Sequence, residues 1–347
     1  MELSSYTLAL LDDIERRIDP ETEEDYRAQW KAFWYGEVDE PIVRPTRKRT
    51  VAPSIEVKPI HINDAQRDLE LMLDYELMLL SRRVESPTSS LGIRANYGVG
   101  IIPTMFGAAL FEMPRETNTL PTSRAWNDSD KIREMLERGM PDLHAGLGKS
   151  VLDFGELCVE VFSRYPNIRH YVDVFHPDTQ GPLDLAELLW GGEMFYEMYD
   201  DPDLVHAALR LITDTYKAFM DKWFATVPPR GEIASHWGIM HRGTILLRLD
   251  SAMNLSPDFY DAFSKPYDRE LLAYYGGGCM HFCGRGDHYI DSLCEIEPLY
   301  GINMSQPELN DMSKIFDAVT SNGKRIFGFP KPAQYVHLLG DKTGVLQ

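Results

Sequence analysis

The sequence predicts an α/β fold, a (β/α)8 barrel with an N-terminal helical extension, on three observations. Short apolar strand-like runs alternate with helix-like segments from about residue 60 onward. No G-x-G-x-x-G turn follows the first strand, and roughly 250 residues of repeated βα text suit a barrel. An open doubly wound sheet fits the same rhythm, and the pattern alone favours the barrel over it.

The expected division is an extension over residues 1–60 and a barrel over 61–347. Two acidic amphipathic helices open the chain, TLALLDDIERRI and TEEDYRAQWKAFWYG, before proline-rich text through Pro53 and Pro59. Residues 61–83 read as a helix, with Asn63 as N-cap and Gln66 three residues on. Residues 90–107 have strand-and-turn character, 129–165 are helical, and RHYVDVF (169–175) reads as a strand. Asp201 followed by Pro202 is a helix start. ASHWGIM and TILLRLD, within 234–250, read as strands. Residues 256–275 repeat the cap-then-proline start, with Pro266 splitting the helix. CMHFCG, GINMS and KRIFGFP are short strands, and the helix over 306–323 stops at Asn322-Gly323.

Composition excludes several classes. A net charge of −19 argues against nucleic acid or an anionic membrane as partner. The exception is RPTRKRT at 44–50, read as a solvated loop rather than a polyanion site. There is no apolar run of membrane-spanning length, and the acidic N-terminus lacks the basic region of a signal peptide. Four cysteines, three of them clustered, are too few for a secreted disulfide framework, so the chain is expected to be cytoplasmic.

Three stretches carry chemistry. In CMHFCG, His281 and Cys283 are two apart and share one strand face with Cys279, and Gly284 marks the C-terminal end where barrel sites sit. Imidazole and thiolate at that spacing suit zinc, although a packed histidine beside a buried thiol has the same spelling. In HPDTQGP, His176, Asp178 and Gln180 follow a strand. In SHWGIMHRGTILLRLD, His236, His241, Arg242, Arg248 and Asp250 fall within fifteen residues. Asp250 stands at a strand end, as a catalytic carboxylate, a metal ligand or an arginine partner. Asp250 and His241 are the candidate catalytic residues; Gln180, Asn96, Arg94 and His176 are the candidate substrate-binding residues. The pair Tyr274-Tyr275 reads as helix core.

Three segments in order, TQGPLDLAELLWGGEMFYEMYDDPDLVHAAL, RLDSAMNLSPDFYDAFSKPYDRELL and GGGCMHFCG, resemble the uroporphyrinogen decarboxylase superfamily over roughly residues 60–330. That superfamily includes the corrinoid-dependent methyltransferases, to which the His-x-Cys-Gly strand is most similar. The resemblance implies a (β/α)8 barrel and zinc on His281 and Cys283. It also implies a small-molecule substrate and a methyl group exchanged with a corrinoid on a partner protein; a homodimer is an expectation the sequence leaves open. The family's third ligand, a distant C-terminal cysteine, has no counterpart, since no cysteine follows Cys294. The order of expectation for a replacement is Asp250, His241, His236, His176. The arginine-rich "RQAGRY" motif of the decarboxylases is also absent. A metal-independent decarboxylase, with Asp250 stabilising a cation and Arg94, Arg242 or Arg248 holding carboxylates, is the second expectation. A non-catalytic corrinoid- or tetrapyrrole-binding protein is the third.

Overall fold

A computed structural model describes residues 2–347 and shows an α/β fold built on parallel strands. The two N-terminal helices span Ser5–Arg17 and Pro20–Tyr35. Ser4 and Asp19 cap them by accepting from the Thr7 and Thr22 N–H groups. The second helix turns Tyr26, Trp30, Phe33 and Trp34 inward against Met240, Leu246, Cys279 and Phe327. Burying each aromatic ring contributes roughly 2 kcal/mol of transfer free energy. The Trp34 indole N–H donates to the Met240 carbonyl at 3.0 Å. These helices therefore complete the core. Beyond Tyr35 the chain runs without helix to Ile62, and Ile42 bridges Leu346 near the C-terminus.

Ten strands follow: β1 (Gly92–Arg94), β2 (Leu110–Phe111), β3 (Thr122–Ser123), β4 (Asp173–Phe175), β5 (Ile233–His236), β6 (Ile239–Arg242), β7 (Ile245–Arg248), β8 (Gly278–Phe282), β9 (Leu299–Met304) and β10 (Arg325–Ile326). Strands β7, β8, β9 and β10 form a parallel sheet in that order, and β1 pairs parallel with β4. Helices join successive parallel strands, as a parallel crossover requires. The two parallel groups are tied by His176, just past β4, whose Nε2 accepts from the Leu246 N–H at 3.0 Å.

Register sets the layers. Arg248 on β7 lies beside His281 on β8, and His281 beside Asn303 on β9. The alternate residues Met280 and Phe282 enter the larger apolar core under the helices, whereas Cys279 packs with Leu246 in the smaller one.

Several boundaries differ from the sequence expectation. The helix expected over 61–83 is two, Ile62–Ala65 and Leu69–Glu85, capped by His61 and Asp68. Asn63 instead donates its amide to the Met113 carbonyl. The strand expected from residue 169 begins at Asp173, because Pro166–Tyr171 is helical. Glu15 of the first helix accepts from the Asn167 and Ile168 N–H groups and anchors that turn. ASHWGIM is an antiparallel hairpin, β5 to β6, reversing at Trp237 (φ 53°) and Gly238 (φ 84°). Two successive left-handed residues are the turn that suits the twist of a tight hairpin. In the basic stretch, Arg47 is buried, with Nη2 on the Glu23 carboxylate at 2.8 Å. Tyr274 is exposed rather than core and donates to Asp221. The starts at Pro202 and Pro257, and the break before Pro266, fall as the caps predict.

Candidate metal centre

Three ligand-type side chains converge at the C-terminal ends of β7 and β8. Asp250, His281 and Cys283 each offer one donor atom, and the three lie within 4.8 Å of one another. His281 Nε2 is 3.3 Å from Cys283 Sγ and 3.8 Å from Asp250 Oδ1. Asp250 Oδ1 also accepts from the Cys283 backbone N–H at 2.7 Å, which couples the two strand ends. Of the four candidates for the third ligand, Asp250 alone joins His281 and Cys283.

Residues from three other elements hold this group. The His281 Nδ1 contacts Asn303 Oδ1 at 2.5 Å, while Asn303 Nδ2 donates to the Phe327 carbonyl at 2.7 Å. The amide is thereby oriented with its oxygen toward the ring, so Nδ1 carries the proton and Nε2 presents a lone pair to Cys283 and Asp250. Asp184, in the first turn of the helix Pro182–Trp190, accepts from the Asp250 N–H at 3.0 Å and the Ser251 N–H at 2.8 Å. That helix starts tightly against β7: the Gly181 N–H donates to the Arg248 carbonyl, and a Cβ at Gly181 would stand 2.2 Å from that oxygen. The Cys283 thiol reaches Ser305 Oγ at 3.5 Å, and the Gly284 N–H donates to Gln306.

Electrostatics favour a cation. Burial lowers the His281 pKa, against the opposing pull of Asp250 and Asn303, so the imidazole is neutral near pH 7 and free to ligate. Burial and the Asp250 charge raise the Cys283 thiol, against Ser305. Burial, then Asp250, raises Asp184 to about 7. Burial is the leading cause of all three shifts, and the Asp250 charge adds to those of Cys283 and Asp184.

Trp237 belongs to the site and was not foreseen. Its left-handed conformation aims the indole between Arg248, whose guanidinium carbon is 4.5 Å from the ring, and His281, at 5.1 Å edge to face. A left-handed non-glycine residue beside a polar cluster is where backbone strain serves geometry. The Trp-Gly dipeptide was the available signal.

The remaining candidates form a neighbouring polar layer. Asp178 lies between Arg94, bonded at 2.9 Å, and Arg248, a Coulombic contact at 3.3 Å without hydrogen-bond alignment. Burial would raise the Asp178 carboxyl, but the two guanidiniums outweigh it and hold the pKa below the usual range. Arg94 also bonds Asn96, Asn96 bonds Glu76, and Gln180 Nε2 donates to Asp178 at 2.7 Å. His176 is buried with both ring nitrogens engaged, by the Pro177 carbonyl and the Leu246 N–H. His241 is fully buried, lines a separate small cavity with His236, and is lowered to about 4, chiefly by burial. Arg242 sits over the Tyr300 ring at 4.2 Å. Cys279 donates to the Arg242 carbonyl, two residues below the ligand pair.

No family model matches the chain, and no curated protein matches its sequence. Among the described residues, no helix is long and apolar enough to cross a membrane.

Proposed function

We propose that the chain is a metal-dependent methyltransferase of the uroporphyrinogen decarboxylase superfamily, folded as a (β/α)8 barrel. It moves a methyl group between a corrinoid carried by a separate protein and a small thiol. The observation that carries this reading is the convergence of Asp250, His281 and Cys283 at the C-terminal ends of adjacent parallel strands. Support for the barrel comes from two parallel strand groups joined through His176 and Leu246.

Zinc fits the donors: one neutral imidazole, one thiol and one carboxylate, the three protein ligands of a catalytic site with a fourth position left for substrate. Zinc held there lowers the pKa of a ligating substrate thiol, making thiolate available at neutral pH. The chain's own residues supply the geometry. Asn303 fixes the His281 tautomer, Asp184 and the Cys283 N–H hold Asp250, and the Trp237 indole packs edge to face with His281. The corrinoid would supply the methyl group to the substrate thiolate, and Asp250, His281 and Cys283 would hold the zinc that keeps that thiol deprotonated.

One observation weighs against the decarboxylase reading. Arg94 and Arg248, two of the three arginines expected to hold carboxylates, are buried and committed to Asp178, Asn96 and backbone, so neither is free for substrate carboxylates. A corrinoid-binding protein without turnover would share the site, and methyl transfer to a thiol separates it from the enzyme.

Metal analysis of protein purified without chelator tests the reading. One zinc per chain, lost in Cys283→Ser, supports it. Metal-free wild type, with the variant indistinguishable, would overturn it.

A further inference from the structure

A cavity of about 420 Å3 opens beside the Asp250 carboxylate, and its lining has one sign. Asp184, Glu187 and Asp250 contribute carboxylates, and no lysine or arginine lines it. Val99, Ala125 and Leu188 provide an apolar wall. Arg94 and Arg248 are paired with Asp178, and Arg124 lies over the Phe111 ring.

A second, independent feature points to a ligand. Gln180 is 5% exposed and lines this cavity. Its Nε2 donates to the Asp178 carboxylate, which fixes the amide orientation because an ionised carboxylate only accepts. The Gln180 carbonyl oxygen, on a side chain that lines the cavity, accepts no hydrogen bond among the described residues. Glu187, half-buried on the helix that follows and also lining the cavity, has no ion pair or hydrogen bond to its carboxylate among them either. A ligand carrying N–H groups and positive charge would give both acceptors a partner at once.

We propose that this cavity binds a small alkylammonium group, with the ammonium held by Gln180 Oε1 and the Glu187 carboxylate and the alkyl part on the apolar wall. Reading the ammonium as part of the thiol substrate rests on the methyltransferase reading; the charge preference of the cavity does not. The cavity selects against carboxylates, sulfonates and phosphates, since each would meet the acidic lining without a cation to pair with.

Ligand-observed NMR titrations of the zinc-loaded protein test this with three probes of like shape: isopentylammonium, isopentanol and isovalerate. The ammonium should bind about tenfold more tightly than the alcohol, and isovalerate should not bind measurably. Glu187→Gln, on a half-buried helix position, should weaken the ammonium about threefold. Ala125→Phe, which fills the cavity, should abolish its binding. Equal binding of the three probes, preference for isovalerate, or ammonium binding that survives Ala125→Phe would overturn the proposal. Zinc content measured on the same samples keeps the two readings apart. Loss of ammonium binding with zinc present defeats the cavity alone, and wild-type protein that purifies without zinc yet binds the ammonium defeats the metal alone.

Discussion

The backbone N–H of Cys283 donates to Asp250 Oδ1 at 2.7 Å, and the same oxygen lies 3.8 Å from His281 Nε2. One carboxylate oxygen thus links the ends of two strands and faces the imidazole that would share its metal. Replacing Asp250 with Asn keeps an acceptor for that N–H but removes the charge. Metal affinity should fall by about 100-fold or more in a chelator competition, at or above the upper end of what loss of an outer-shell partner costs. The melting temperature of the apoprotein should move little.

Asn303 makes a second prediction, because it touches His281 but offers no metal donor within the ligand group. Asn303→Leu frees the imidazole to rotate and leaves the Phe327 carbonyl unpaired. Metal affinity should drop about 10–100-fold with all three ligands intact. The unpaired carbonyl should lower apoprotein stability by about 1–3 kcal/mol, read by urea unfolding.

The raised thiol of Cys283 gives metal binding a pH slope. Its proton must leave when a cation binds, whereas His281 is already neutral. Below the thiol pKa, log affinity should rise by about one per pH unit, with one proton released per metal. Chelator competition with a pH-indicator readout measures both. Cys283→Ser should remove the proton release.

Asp268 links pH to stability. Burial, reinforced by the Asp184 charge, raises its carboxyl to about 8 from an ordinary 3.8, against the Ser264 hydroxyl. The folded state therefore holds this proton more tightly than the unfolded chain. Its contribution is complete below about pH 3.8 and is lost as pH rises toward 8. The slope is at most one proton, about 1.4 kcal/mol per pH unit. In Asp268→Asn that loss should vanish, leaving the variant more stable than wild type at pH 8 relative to their difference at pH 5.

Much of the site was legible because it is local in sequence. His281 and Cys283 share a strand face, and Asp250 follows a strand, so period-two alternation and strand-end position single them out. Asn303, Asp184 and Trp237 were not foreseen. Asn303 reaches His281 only through the β8–β9 register, and Asp184 meets Asp250 only because Gly181 lets a helix start against β7. Trp237 was hidden by reading ASHWGIM as one strand, since apolar alternation continues through the hairpin reversal. The helix Pro166–Tyr171 was missed for a similar reason: its N-terminus is capped by Glu15, some 150 residues away in sequence. Alternation of helix and strand conveyed the α/β class, while tertiary hydrogen bonds set the details.

The central claim is that Asp250, His281 and Cys283 hold one metal ion together. Cobalt(II) substitution followed by absorption spectroscopy tests it most directly, because a thiolate ligand adds a sulfur-to-cobalt charge-transfer band and a four-coordinate ion gives intense visible bands. The account predicts one cobalt per chain with both features in wild type. Cys283→Ser should lose the charge-transfer band, and Asp250→Asn should alter the visible bands while keeping it. Weak six-coordinate absorption that is identical in all three proteins would contradict the account.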